Sequence, residues 1–347
     1  MQRRCLAVAG TLAAVGAMVS LGAAVIAAQT ASAVPKSKAS STWTPPRTAD
    51  GQPDLQGVWD FRTITPLERP TALGDKAVLS DQEAAEFERA ENRRQNRDLI
   101  DPAKGGVNYP PGGVVPYNEF WYDRGNKIVG PNRTSLIVDP PNGRLPPRTP
   151  EGERRAAARA AEGRDNQVGR PRADSHEDRP LSERCIIGFN AGPPMTPGAY
   201  NNNVQIFQAA GQVAILNEMV HDVRIIPLDG RPSGKVRQGM GVSRGRWDGD
   251  TLVVDTTNFA RETSLEGSSA DMRLVERFTR TAPDTLLYEF TVTQPTEWTR
   301  PWTAQLFMVK SADGIYEYAC HEGNYGLAGV LGGARAEEKA SAAAAKK

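Results

Sequence analysis

From Tyr200 to His321 the chain alternates apolar and polar residues in short runs. Turn dipeptides punctuate them: Ala210-Gly211, Asp229-Gly230, Asp248-Gly249, Pro283-Asp284 and Asp313-Gly314. A period of two puts the apolar side chains on one face of a strand, and Asp-Gly between two such runs marks a hairpin. Leu286, Tyr288, Phe290 and Val292 alternate with Leu287, Glu289, Thr291 and Thr293, the signature of a half-buried antiparallel strand, and Trp302, Ala304, Leu306 and Met308 repeat it. About eight such segments in succession would leave an open meander with edges to protect, so closure is expected. The pattern predicts a mainly β protein, a single antiparallel up-and-down barrel or strongly curled sheet.

Upstream the periodicity changes. Leu55 to Phe61 reads as a first strand. Ser80-Asp81-Gln82-Glu83 is a capping box that opens a mostly charged, surface-lying helix to about Leu99. Lys104 to Pro116 is a Gly/Pro-rich loop, with short strands expected at Tyr117 to Tyr122 and Thr134 to Val138. Thr149-Pro150-Glu151 starts a second, Ala/Arg-rich helix, so two peripheral helices are predicted. Gly163 to Arg179 is charged and aperiodic, and His176 within it reads as solvated. The expected organisation is a barrel domain over 55–333 with insertions at 80–180, a Pro-rich lead-in at 34–54 and a frayed tail over 334–347.

The two ends of the 347-residue chain and its charge bound the possible functions. Arg3 and Arg4, an Ala-rich apolar stretch from Leu6 to Ala28, and Ala31-Ser32-Ala33 have the order of a secretion signal, so 1–33 is expected to be removed. No stable membrane span then remains, and the location is periplasmic or secreted. A net charge of +1 with interspersed acids and bases excludes the basic field that nucleic-acid binding requires. Export also decides the cysteines. Cys5 leaves with the signal, and Cys185 and Cys320 remain as an even pair in an oxidising space, which predicts a disulfide. Closing so long a loop contributes on the order of 4 kcal/mol in the chain-entropy treatment.

Candidate chemistry gathers around two histidines. Read as one strand, Val213, Ile215, Asn217, Met219, His221, Val223 and Ile225 share a face, which sets His221 in an apolar row where its neutral form is favoured. In YEYACHEGNYGL, if Cys320 bonds outward to Cys185, His321 turns inward toward the same lumen. Glu322, Asn324 and Tyr325 follow at the barrel mouth. His221, His321 and Glu322 are therefore the candidate acid–base catalysts, and Asn217, Asp222, Arg224, Asn324 and Tyr325 the candidate ligand-binding residues. His221, His321 and a carboxylate from Glu322 or Asp222 would also make a two-His-one-carboxylate set for a divalent metal. The spacing has no short HxH or HExxH to favour that, and no cofactor is predicted. Arg244, Arg246 and Trp247 could clamp an anion over an indole, against the plainer reading of Arg–aromatic packing. Asn201, Asn202 and Asn203 read as a turn network, and Trp298 with Trp302 as a core corner. Nucleotide-binding fingerprints are absent.

The stretches LQGVWDFRTITPLERP, GFNAGPPMTPGAYNNN, EMVHDVRIIPLDGRP, RGRWDGDTLVVDTTNF and YACHEGNYGL resemble a broad family of exported proteins from soil and environmental bacteria. The resemblance covers nearly all of the chain after residue 33. It implies export and brings no catalytic residue with it. Separately, Gly57-Val58-Trp59 is similar to the Gly-x-Trp opening of lipocalins, which implies a lipocalin- or calycin-like barrel; the long helical insertions depart from that pattern. Two functions compete. One is an enzyme using general acid–base chemistry on a small organic molecule at a His-lined pocket. The other is a non-catalytic, lipocalin-like binding or carrier protein of the cell envelope. An envelope interaction protein has support only from the lead-in and the charged excursion.

Overall fold

Alternation builds the wall. Leu286, Tyr288, Phe290 and Val292 on one strand and Trp302, Ala304, Leu306 and Met308 on the next are all buried, while the residues between them are not. A computed structural model describes residues 43–106, 111, 118–161, 173–260, 265 and 270–345. The secretion signal predicted at 1–33 and residues 34–42 of the lead-in lie outside the described residues. Ten strands form the sheet: β1 (Gly57–Asp60), β2 (Ile137–Asp139), β3 (Asn203–Ala209), β4 (Gln212–Asn217), β5 (Val223–Pro227), β6 (Val242–Asp248), β7 (Thr251–Thr257), β8 (Arg273–Ala282), β9 (Thr285–Thr293) and β10 (Trp302–Lys310). Nine of them follow one another in the order β5-β4-β3-β1-β10-β9-β8-β7-β6, and β2 pairs separately with β10. The result is a nearly closed antiparallel barrel.

The opening in the ring has a topological cause. Every ladder along that path is antiparallel, so direction reverses at each step. With an odd number of strands, the two ends, β5 and β6, point the same way and cannot continue the antiparallel pattern. No ladder joins them. Their side chains meet instead: a Cβ placed on Gly245 of β6 would lie 2.6 Å from Leu228 Cδ2 and 2.8 Å from Ile226 Cγ2, so glycine permits the close approach. Residues 228–241 connect these two strands.

The interior is filled. Trp59, Phe61, Met195, Phe278, Tyr288, Phe290, Trp298 and Trp302 are buried in one cluster with the aliphatic residues of all the main walls. Trp298 and Trp302 meet edge to face at 5.7 Å, the core corner expected of them. Trp59 donates its indole N–H to Leu55 O, and the Arg280 guanidinium lies over its ring at 5.6 Å. A lumen packed in this way is a core and not a container.

Helix α1 (Asp81–Gln95) begins as predicted: Ser80 Oγ accepts from Glu83 N and Glu83 accepts from Ser80 N at 2.9 Å. It buries only Ala84. Helix α2 (Pro150–Ala161) is capped by Thr149, whose Oγ1 accepts from Gly152 N at 3.0 Å. A third helix, α3 (Tyr325–Ala344), occupies the region expected to end in a frayed tail, and none of its residues is fully buried. Two further expectations change. Residues 119–121 form a 3-10 turn rather than a strand, and of the candidate at Thr134 to Val138 only Ile137 and Val138 lie in a strand, β2. His176 is exposed, at the start of a 3-10 turn.

Candidate functional site

The reading of 213–225 as one strand fails at a two-residue kink. β4 ends at Asn217. Met219–His221 is a 3-10 turn in which Val220 and His221 take φ of 62° and 54°. Left-handed backbone is costly for a β-branched residue, about 1–2 kcal/mol, and is held here by the surrounding contacts. Asn217 N donates to Asp222 O at 2.9 Å across the kink, which reverses the chain into β5. The reversal shifts parity by one. Val223 and Ile225, expected inside, are each 52% exposed, whereas Arg224, a candidate ligand-binding residue, is 5% exposed and points into the barrel.

Arg224 forms the one buried ion pair that spans the described interior. Its guanidinium grips both carboxylate oxygens of Glu276, with Nη2 at 2.9 Å from Oε1. Glu276 is on β8, which is not a neighbour of β5, so the contact crosses the lumen. Tyr288 OH donates to Glu276 Oε1 at 2.8 Å and accepts from Met195 N at 3.1 Å. Burial, with the Glu276 charge added to it, pushes the Tyr288 phenol well above its usual value. Burial alone would lower Arg224, but the Glu276 charge and hydrogen bonds reverse that and raise it. Both Nη atoms of Arg224, both carboxylate oxygens of Glu276 and the Tyr288 hydroxyl have partners, as a buried ionic contact requires.

Around the kink the predicted site residues separate. His221 is half-buried, and its Nδ1 accepts from Tyr318 N at 3.4 Å. Asp222 accepts from Gly188 N at 3.1 Å, and burial raises its carboxyl above the ordinary value. Glu218, absent from the sequence prediction, is 3% exposed; its Oε2 accepts from Asn203 Nδ2 at 2.8 Å and its Oε1 from Tyr316 N at 3.3 Å. Asn217 is buried, with no partner for its side-chain oxygen.

The stretch 316–321 is not a strand. It crosses the kink as irregular chain, held by Glu218 and His221 through the amides of Tyr316 and Tyr318. His321 and Glu322 are exposed in the turn that follows, so the two histidines do not share a desolvated hollow. Asn324 caps α3, its Oδ1 accepting from Leu327 N at 3.2 Å while Nδ2 donates to Glu183 O at 2.8 Å. Tyr325, the first helical residue, is 83% exposed. Cys185 and Cys320 form the predicted disulfide, with Cα atoms 5.6 Å apart, and tie this crossing segment to the loop after residue 180. Above the kink, Phe189 packs edge to face on Tyr200 at 5.5 Å, and Tyr200 stacks with Tyr318 at 6.2 Å.

Other candidates resolve in the same way. Trp247 packs against the core, whereas Arg244 and Arg246 lie on the opposite face of β6, so no clamp over the indole forms. Asn202 binds Gly198, Asp123 and Asn190, a turn network. Among the described residues no group of three or more His, Cys, Asp or Glu side chains is arranged to hold a metal ion. No family model matches the chain, and no curated protein is found similar to it.

Proposed function

We propose that this is a non-catalytic binding protein of the periplasm or the extracellular space, with its ligand held on the outside of the barrel. The observation that carries this reading is the engagement of the groups suited to chemistry. The Nδ1 lone pair of His221 is taken by a backbone amide, both retained thiols are in a disulfide, and His321 and Glu322 face solvent away from any enclosed site. The filled lumen argues against carriage inside the barrel, so the lipocalin-like version of the binding hypothesis is set aside in favour of an external ligand. Export rests on the sequence of residues 1–33, and the disulfide agrees with an oxidising compartment.

The acid–base alternative keeps one point in its favour: a carboxyl raised by burial, Asp222, follows two left-handed residues at the kink. A thermal-shift screen of the chain from Val34 separates the two. Divalent metals and small aromatic, terpenoid and sugar compounds are the probes. A binder gains apparent stability with ligand concentration, about 2.7 kcal/mol at a hundredfold excess over Kd, and returns the ligand unchanged. Turnover of any probe, lost in His221→Ala or Asp222→Asn, would establish the enzyme instead.

A further inference from the structure

At the opposite end of the β3–β4 hairpin from the kink lies an open groove of about 510 Å³, within the size range of small-molecule sites. Three segments enclose it: the turn over 48–52, the hairpin tip at Ala210-Gly211, and the β6 residue Trp247 beside Leu228. Its walls are of two kinds. Trp247 and Leu228 pack on the core from below and give an apolar floor. The Asp50, Gln52 and Gln212 side chains line the same groove and have no hydrogen-bond or ion-pair partner among the described residues. Two further polar neighbours are already spent: Thr48 Oγ1 donates to Gln52 O at 3.3 Å, and the Gln208 side chain accepts from Leu55 N at 2.7 Å and donates to Pro53 O at 3.0 Å. Gln208 fixes the groove wall.

We propose that this groove binds a neutral, hydroxyl-rich ligand of the pyranose sugar class. The assignment rests on the binding-protein reading above and gives it a ligand. An amide presents a donor pair and an acceptor on one planar group, so Gln52 and Gln212 match adjacent hydroxyls that each donate and accept. Asp50 adds an acceptor. The indole and Leu228 suit the C–H face of a sugar ring, since an apolar floor with a few placed polar groups is the usual form of a small-molecule site. An anion is disfavoured, because no free cation lines the groove: Arg47, the nearest in sequence, is paired with Asp250 at 2.6 Å. A wholly apolar ligand would leave the amides and the carboxylate desolvated without partners.

The test is calorimetric titration of the chain from Val34 with maltose, cellobiose and N-acetylglucosamine oligomers, and co-sedimentation with insoluble cell-wall glycan. The expected result is saturable binding of at least one, weakened about tenfold in a Gln52→Ala/Gln212→Ala variant. Both side chains lie outside the core, so circular dichroism and melting temperature should be unchanged. Trp247→Phe should weaken binding as well, with Gln52→Ala/Gln212→Ala as the control should that variant fold poorly. Binding to the insoluble glycan but not to the free sugars would identify a polymer-bound form of the same chemistry. Failure of every probe to bind overturns the groove assignment. Sugar binding that survives Gln52→Ala/Gln212→Ala and is lost in Phe189→Ala also overturns it, while leaving the protein a binder. Cleavage of a bound oligomer overturns the binding reading and leaves the groove standing.

Discussion

Arg224 stands one residue out of step with the alternation of β4, and that step puts a guanidinium where a regular strand would place an aliphatic side chain. Taking away one partner leaves the other charged and desolvated, so Arg224→Met or Glu276→Gln should lower unfolding free energy by about 3–5 kcal/mol. Replacing the set together (Arg224→Met, Glu276→Leu, Tyr288→Phe) should recover most of the loss, and urea titration of each variant reads the difference. Tyr288 adds a pH dependence. Its folded pKa lies above the ordinary 10.0, so the folded state holds a proton that the unfolded state releases as pH rises. Stability present below pH 10 should therefore fall above it, and Tyr288→Phe should flatten that part of the profile, measured by denaturant midpoint at each pH. None of this was legible in advance. Periodicity assigns a face only while the strand is unbroken, and the β-branched Val220, the first left-handed residue, gave no sign of the break. The partner is equally hidden, since Glu276 lies on a strand that never pairs with β5.

Elements defined by local chemistry were easier to read. The Ser80–Glu83 box and the Thr149 cap with Pro150 fixed the starts of α1 and α2, because caps are made by residues a few positions apart. Ser80→Ala should cost about 1 kcal/mol, visible as a lowered thermal midpoint. The docking of α2 was not readable. It depends on Glu297, fully buried, which receives Arg148 at 3.1 Å, Arg155 at 2.9 Å and Arg159 at 3.6 Å. The helix lies tight against the barrel at Gly152, where an added Cβ would lie 2.4 Å from Glu297 O. Helix propensity alone favours Gly152→Ala by about 1 kcal/mol. The clash should dominate, since the obstructing atom is backbone, and the variant should lose about 1–3 kcal/mol on chemical denaturation. The stretch 316–321 shows the reverse error. It alternates like a strand, but alternation is only permissive, and no sheet edge is offered to it. The residues that meet it, Glu218 and His221, bind its amides with side chains.

At the scale of the whole molecule, closure was legible and its seam was not. Repeated hairpin signals called for a ring, but the parity of strands that leaves β5 and β6 pointing the same way appears only once β1 is found between β3 and β10. The disulfide was readable from the even pair of cysteines left once residues 1–33 are read as a signal. It encloses a separation of 135 residues, for which chain entropy gives about 5 kcal/mol before any native strain is subtracted. Reduction, or Cys185→Ser with Cys320→Ser, should lower the unfolding free energy by up to that amount, and guanidinium titration with and without reductant measures it. The placing of β1 has a consequence for assembly. Trp59 pairs with Lys310 and with Val204, so the first described strand to leave a ribosome is completed by the last. Contacts so distant along the chain slow folding and prolong the time for which strand edges lie open to other molecules. Until Lys310 has emerged, the nascent chain carries an unsealed ring, and a chaperone holding β1 would be most needed in that interval.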